Sequence, residues 1–278
     1  KINNLIYPFF CRTTKKDLEV PIPNSDSKII TYMNEKEKKL FEILHRKFRQ
    51  NALLLYIRLL QASTNPKLLL SDIDYDILRN IYEDEEENET LINLDNELDN
   101  ITDNYDNTED FDEQEKSFIK SFDMTSKFWD GINIIKSLVS DGKNVLVWGI
   151  FVNTIDRISE ELNKLGISNK IIYGSIPVEE REKTIEEFKN KEIQVLITNP
   201  HTMAESVSLH KQCHDAVYFE YSFNLTHMLQ SRDRINRLGL PEQQYTQYHY
   251  LFLMSKDGED DSIDFKTYNR LKEKEAVM

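Results

Sequence analysis

The sequence predicts an α/β protein, a parallel sheet with helices on both faces, preceded by a mainly helical region. Three observations predict it. From Ser126 onward, short apolar runs alternate with amphipathic stretches of ten or more residues. Strands separated by helices of that length run parallel and are covered on both faces. The runs themselves, such as "NVLVWGIF" and "IQVLITN", lack the polar alternation of a strand with one wet face. Ahead of the acidic stretch the apolar positions recur instead at helical spacing.

Taken in order, residues 1 to 24 read as a helix followed by an extended polar strip, "RTTKKDLEVPIPNS", in which prolines stop regular structure. The opening "KINNLIYPFF" has no cleavable signal pattern and begins like the middle of a helix. "NEKEKKLFEILHRKFRQ" starts at an Asn34 cap with Glu37 three residues on, and Leu40, Phe41, Leu44 and Phe48 form one stripe. "NALLLYIRLLQASTNPKLLL" is a second, more buried helix ended by Asn65-Pro66. The later pattern gives a helix "KFWDGINIIKSLVSDGK" closing on Gly142 and a strand "NVLVWGIF". A helix "NTIDRISEELNKLG" follows, with an Asn153 cap and a Gly166 stop. Then come strand "KIIYG", helix "VEEREKTIEEFKN", and strands "IQVLITN" and "HDAVYFEY". A helix through "QSRDRINRLG", the strand "YTQYHYLFLM" and a last helix "DSIDFKTYNRLKEKE" complete the series. Ligands of such sheets bind beyond the carboxyl ends of the strands, so the loops "WGIFVN", "YGSIPVEE", "TNPHTMAESVSLH" and "EYSFN" are where function is expected.

The formal net charge is −14, which by itself argues against a nucleic-acid partner. Residues 83 to 115 hold 16 Asp and Glu and no Lys or Arg, so without them the remaining chain carries a small positive charge. The acidity is a local insertion, and the rest is free to present basic surfaces. Within it Leu91, Leu94, Leu98, Ile101 and Tyr105 recur at intervals of three and four, a seam able to dock. The plain alternative is a solvated, disordered insertion. No run of eighteen apolar residues occurs, and Cys11 and Cys213 form no framework, so a reducing cytoplasm is expected.

"QSRDRINRLG" sets Gln230, Arg234 and Arg237 at spacings of four and three, which lays all three side chains along one face of a helix. Two planar guanidiniums so placed can share one phosphate; the alternative is a surface helix paired with Asp233 or the acidic insertion. His201, His210, Cys213 and His214 crowd together, but their spacing matches no common structural zinc site, and no metal is expected. Trp148 and Phe219 read as core, as does Tyr173. Glu220, just past a strand, is either a cleft residue or solvated.

Six stretches carry a family resemblance. They are "LIYPFFCRTTKKDLEVPIP", "LLQASTNPKLL", "TSKFWDGINIIKSLVSDGKNVLVWGIF", "IYGSIPVEEREKTIEEFK", "QSRDRINRLG" and "DDSIDFKTYNRLKEKE". In this order they resemble the second RecA-like lobe of superfamily 2 helicases, most closely the Swi/Snf-type double-stranded-DNA translocases in a divergent bacterial branch. "QSRDRINRLG" is similar to the family's sixth motif, "QAxxRAHRIGQ". The resemblance implies a helical region over 1–82 that ends a first lobe, an acidic insertion or linker over 83–120, and a C-terminal RecA-like lobe over 121–278. It implies ATP and Mg²⁺ held mainly by a first lobe that this chain lacks. Arg237 would be the arginine finger, Arg234 its partner, and Gln230 a nucleotide contact.

Two departures qualify those expectations. The family's fifth motif, "STxAGGxGINLT", is glycine-rich, whereas "TNPHTMAESVSLH" has no glycine. Glycine lets backbone approach a phosphate closely, so the loop is expected to be reshaped, with Glu205 and Ser206 supplying side-chain contacts. The same "SLHxxCH" loop invites comparison with helicases of restriction or phage-defence systems, by analogy alone. Second, no GxGK[ST] loop or DExH pattern occurs, so the chain by itself is not expected to hydrolyse ATP. For nucleic acid the expected contacts are Gly149 and Phe151, Gly174 and Ser175, and Asn199 with Ser208 and His210, gripping phosphates rather than reading bases. The expected partners are double-stranded DNA and the protein's own first lobe, with no membrane. Two other readings stay open: a RecA-like binding or scaffold module that has lost the motor, and a lobe that tracks RNA or single strands.

Overall fold

The structure, a computed structural model, describes residues 15, 17–73, 110–200, 202, 207–241, 243–256 and 262–277. Its centre is a six-stranded sheet. The strands are β1 (Ser27–Tyr32), β2 (Val145–Trp148), β3 (Asn169–Ile172), β4 (Val195–Thr198), β5 (Asp215–Tyr218) and β6 (Gln247–Met254). Their order is β1-β6-β5-β2-β4-β3 and every pairing is parallel. The helices among the described residues are α1 (Glu35–Phe48), α2 (Ala52–Thr64), α3 (Glu113–Lys120), α4 (Ser126–Ser140), α5 (Val152–Lys164), α6 (Val178–Lys189), α7 (Leu225–Arg232) and α8 (Ile263–Val277), with a 3₁₀ turn over Pro66–Leu70.

Successive strand residues point to opposite faces, and both faces are covered here. Val145, Val147, Val195, Ile197 and Val217 pack on Phe128, Ile132 and Ile135 of α4 and Ile155 and Ile158 of α5. Leu146, Trp148, Leu196, Ala216 and Tyr218 face the other way, onto Phe188 of α6, Met228 of α7 and Tyr268 and Leu271 of α8. That is why β2, β4 and β5 read as unbroken apolar runs. On α4, a Cβ at Gly131 would overlap Phe219 Cζ and stand 2.6 Å from Leu251 Cδ1, so only glycine fits there without a shift. Gly142 and Gly166 close α4 and α5 at φ +77° and +71°, where a side chain would be strained. The Asn34 cap forms as expected: its side chain accepts from Lys36 N and Glu37 N, and Glu37 Oε2 accepts from Asn34 N at 2.8 Å.

A third core joins α1, α2, the 3₁₀ turn and α3, and it reaches the sheet through Phe151, Leu253 and Ile263. A buried ion pair fastens the two parts together. Lys127 Nζ on α4 lies 2.9 Å from Asp264 Oδ1 on α8 and 2.9 Å from Ser63 Oγ on α2. Asp264 Oδ2 also accepts from Leu253 N.

Three expectations need correction. The region 1–82 is not purely helical, because β1 lies within it and pairs along its length with His249–Met254. Ile29, Ile30, Thr31 and Tyr32 are all strand formers, but Ile30 and Tyr32 remain half exposed at the sheet edge, and the length of β6 gives the strand its partner. The stretch 83–120 is not all solvated insertion, because Asp110 is paired with buried Arg58 at 2.7 Å and Phe111 and Ile119 are core. Helix α5 begins at Val152 with Phe151 at the cap position, so Asn153 lies inside the helix instead of capping it. The leucine seam from Leu91 to Tyr105 and the helix expected at the N-terminus lie outside the described residues.

Candidate functional site

The loops after β2, β3, β4 and β5 all open at the carboxyl end of the sheet, where a parallel sheet binds its ligands. The motif that prompted the functional reading starts on α7. Asn224 caps this helix by accepting from His227 N at 2.7 Å. Ser231 holds it to the sheet, with its Oγ 2.9 Å from the Tyr218 hydroxyl. The helix then stops at Arg232 with Asp233 as its cap. Residues 233 to 239 continue as turns, with Asn236 N bonded to Arg232 O at 3.2 Å. The expectation that Gln230, Arg234 and Arg237 share one helix face therefore fails in its geometry. The turn forms because Asn236 is drawn into the preceding strip: its Nδ2 donates to Pro21 O at 2.9 Å, and Lys15 Nζ donates to its carbonyl. Gly239, at φ +90°, ends the turn.

The three arginines separate into two roles. Arg232 is architectural: it lies over the Tyr248 ring at 4.5 Å and beside Asp26 and Glu275. Arg234 and Arg237 both turn towards the loop after β4. Arg234, 6 % exposed, donates from Nη1 to Val207 O, and its own carbonyl accepts from Leu209 N at 2.9 Å. Arg237 Nη1 donates to Ser208 Oγ at 2.8 Å. Both of these acceptors are neutral oxygens. Asp233, the carboxylate nearest in sequence, is bonded to Lys15 instead, and Arg237 makes no ion pair among the described residues. Burial, then the neighbouring Arg237 charge, lowers the Arg234 pKa. Arg237, bonded to a neutral hydroxyl and standing beside a second cation, forms a place where an anion is favoured.

His210 completes this corner. It is buried, lies beside Gly239, and neither ring nitrogen has a hydrogen-bond partner among the described residues. Burial first, then Lys211 and Arg237, lower its pKa, so it is neutral at pH 7. The structure thus brings Ser208, His210, Arg234 and Arg237 together, with half-buried Gln230 at the end of α7. Asn199 Oδ1 accepts from Thr202 N at 2.9 Å and folds the start of the same loop. Glu205, Ser206 and His201 lie outside the described residues.

The other two loops are held by Arg181, which the sequence reading did not single out, and by Glu220, which it left as a cleft or solvated residue. Arg181 on α6 donates to Gly174 O at 2.5 Å and to Ile176 O at 2.6 Å, so it fixes the loop that carries exposed Ser175. Thr202 Oγ1 is the nearest atom to the open side of Gly174, which sets this loop beside the one after β4. After β2, Gly149 N donates to Thr198 O, while Ile150 N and Phe151 N donate to Glu220 Oε2 at 2.9 and 3.0 Å. Glu220 is wholly buried, not solvated, and burial raises its pKa against the pull of those two bonds. The Phe151 ring packs into the helical core and is not part of a surface. One signal was available: Glu220 is a lone charge at the end of an apolar run, where water is scarce.

Trp148 and Phe219 are core residues, and Cys213 is buried with its thiol pushed up to about 12, first by burial. Among the described residues no group of three His, Cys, Asp or Glu could hold a metal ion. No described helix is long and apolar enough to cross a membrane.

Residues 130–239 match the model of the "Helicase conserved C-terminal domain", and the match ends just after Arg237. The chain is similar in structure to "the C-terminal part of Fun30 ATPase domain", with 20 % sequence identity, TM-score 0.55 and 90 % of each chain covered. At that identity the likeness concerns the fold. A search of curated proteins finds no match.

Proposed function

We propose, from the premise that this chain carries a C-terminal RecA-like helicase lobe, that it is half of an ATP-dependent motor on double-stranded DNA. The observation that carries the proposal is the pair Arg234 and Arg237, held by Val207 O and Ser208 Oγ with no carboxylate interposed at Arg237. ATP with Mg²⁺ supplies the phosphoryl chemistry when bound, and most of its binding groups belong to a first lobe. What this lobe adds is positive charge at the mouth of the sheet. Arg237 acts as the finger, Arg234 supports it, and Gln230, Glu205 and Ser206 are the remaining nucleotide contacts. Because the arginines come from a separate lobe, the site is complete only when the lobes close, which couples hydrolysis to motion.

Duplex DNA would cross the neighbouring loops, contacted by Gly174, Ser175, Asn199, Ser208 and His210, with Gly149, whose amide is bonded to Thr198 O, setting the position of the first loop without a phosphate contact of its own. Phe151 would shape that surface without touching the DNA, since its ring is core and its amide is bonded to Glu220. Such contacts position the backbone and carry little sequence information. The test is Arg237→Ala in the full-length protein. DNA-stimulated ATPase should fall by roughly 10³-fold or more, and full activity in the variant would refute the assignment. Titration with duplex DNA, single-stranded DNA and RNA identifies the track. A second reading, a scaffold that binds without hydrolysis, draws on the glycine-free loop 199–210. It predicts no ATPase from the wild-type full-length protein.

A further inference from the structure

We propose that Glu220 is a positioning residue that locks the β2–α5 loop to the root of α7, so that the loop facing nucleic acid and the turn carrying the arginines move as one piece. The inference rests on the reading of this lobe as half of a DNA-dependent motor, and it adds the element that links the two sites. All three amides of the loop are committed inward, Gly149 N to Thr198 O and Ile150 N and Phe151 N to Glu220 Oε2. The loop therefore has no free amide from 149 to 151 to give a phosphate, and its position is set by a carboxylate on another strand. Space restricts it further: a Cβ at Gly149 would stand 3.0 Å from Ile155 Cγ1 and 3.7 Å from Glu220 Oε2.

Glu220 cannot retreat, because both its neighbours are pinned. Phe219 N donates to Trp148 O, and Thr64 Oγ1 donates to Phe219 O. The Tyr221 hydroxyl donates to Leu251 O and lies 3.3 Å from Asp264 O. Only residues 221 to 223 separate this clamp from Asn224, the cap of α7. The loop and the helix that leads into Arg234 and Arg237 are therefore anchored at one fixed point and keep their relative position. A buried carboxylate is costly unless hydrogen-bonded, so its place here depends on those two loop amides.

The test compares the wild type, Glu220→Ala and Glu220→Gln in the full-length protein, using ATPase titrated with a blunt DNA duplex and amide hydrogen exchange. In Glu220→Ala the half-saturating duplex concentration should rise about tenfold, and it should return towards wild type in Glu220→Gln, which keeps an acceptor oxygen. Exchange at Ile150 and Phe151 should accelerate in Glu220→Ala, and with it exchange over residues 229 to 236. An unchanged duplex requirement in Glu220→Ala would overturn the inference, as would acceleration confined to the loop. If the wild type shows no DNA-stimulated ATPase, the motor reading fails, and the exchange pattern alone then decides for or against the clamp. Should Glu220→Ala not fold, Gly149→Ala displaces the same loop with Glu220 intact. The same rise in duplex requirement supports the clamp, and no rise refutes it.

Discussion

Replacing Lys127 by Met removes one partner of the ion pair that fastens the helical part to the sheet. Both side chains are sealed from water, at 0 % and 1 % exposure, and Nζ stands 2.9 Å from both Asp264 Oδ1 and Ser63 Oγ. After Lys127→Met, the Asp264 carboxylate keeps, among the described residues, the Leu253 amide and the Ser63 hydroxyl as donors. An uncompensated buried charge of this kind costs about 3–5 kcal/mol. The companion variant adds Asp264→Asn. Its amide oxygen can still accept from Leu253 N and its NH₂ can face Ser63, so no charge is stranded and most of the loss should be recovered, to within about 1–2 kcal/mol of wild type. Urea unfolding followed by the fluorescence of Trp129 and Trp148 measures both variants, with the slope checked for constancy. A Lys127→Met variant within about 1 kcal/mol of wild type would refute the argument. So would a double variant no more stable than the single.

Other outcomes follow from the same geometry. Gly131→Ala should destabilise the chain by about 1–3 kcal/mol, because the new methyl overlaps the Phe219 ring, and Phe219→Leu should relieve part of that loss in a thermal melt. His210 and His214 both have pKa values lowered below 6.5, first by burial. The folded state therefore binds fewer protons than the unfolded one below that pH. Stability is fully present above 6.5 and is lost as pH falls, so a His210→Gln, His214→Gln variant should show a flatter decline between pH 6.5 and 5. Deleting residues 83–109 should tighten duplex binding and weaken its dependence on salt at low ionic strength, if the acidic stretch competes for the DNA surface; unchanged affinity counts against that role. Extending the deletion to 115 should in addition lower the melting temperature, because buried Arg58 loses Asp110.

The core of the sheet was legible from sequence because its strands are buried on both faces and its helices bear glycine stops and an Asn34-Glu37 cap, all local signals. β1 was not legible, since its pairing with β6 joins residues more than two hundred apart and leaves Ile30 and Tyr32 half exposed. For the site, the residue types and the order of the loops were readable, and so was the pairing of Arg234 with Arg237. Their arrangement was not. Helical spacing placed Gln230, Arg234 and Arg237 on one face, but α7 stops at Arg232 because Asn236 and Asp233 are held by Pro21 and Lys15 from the strip. Likewise Glu220 read as a cleft or solvent residue, and only packing turned it inward onto Ile150 and Phe151. By itself the sequence determined which groups stand at the mouth of the sheet, since hydrophobic period and loop order are properties of the chain. Tertiary structure alone decided where those groups point and what holds them, because hydrogen bonds between distant segments outweigh the weak local preference for one more turn of helix.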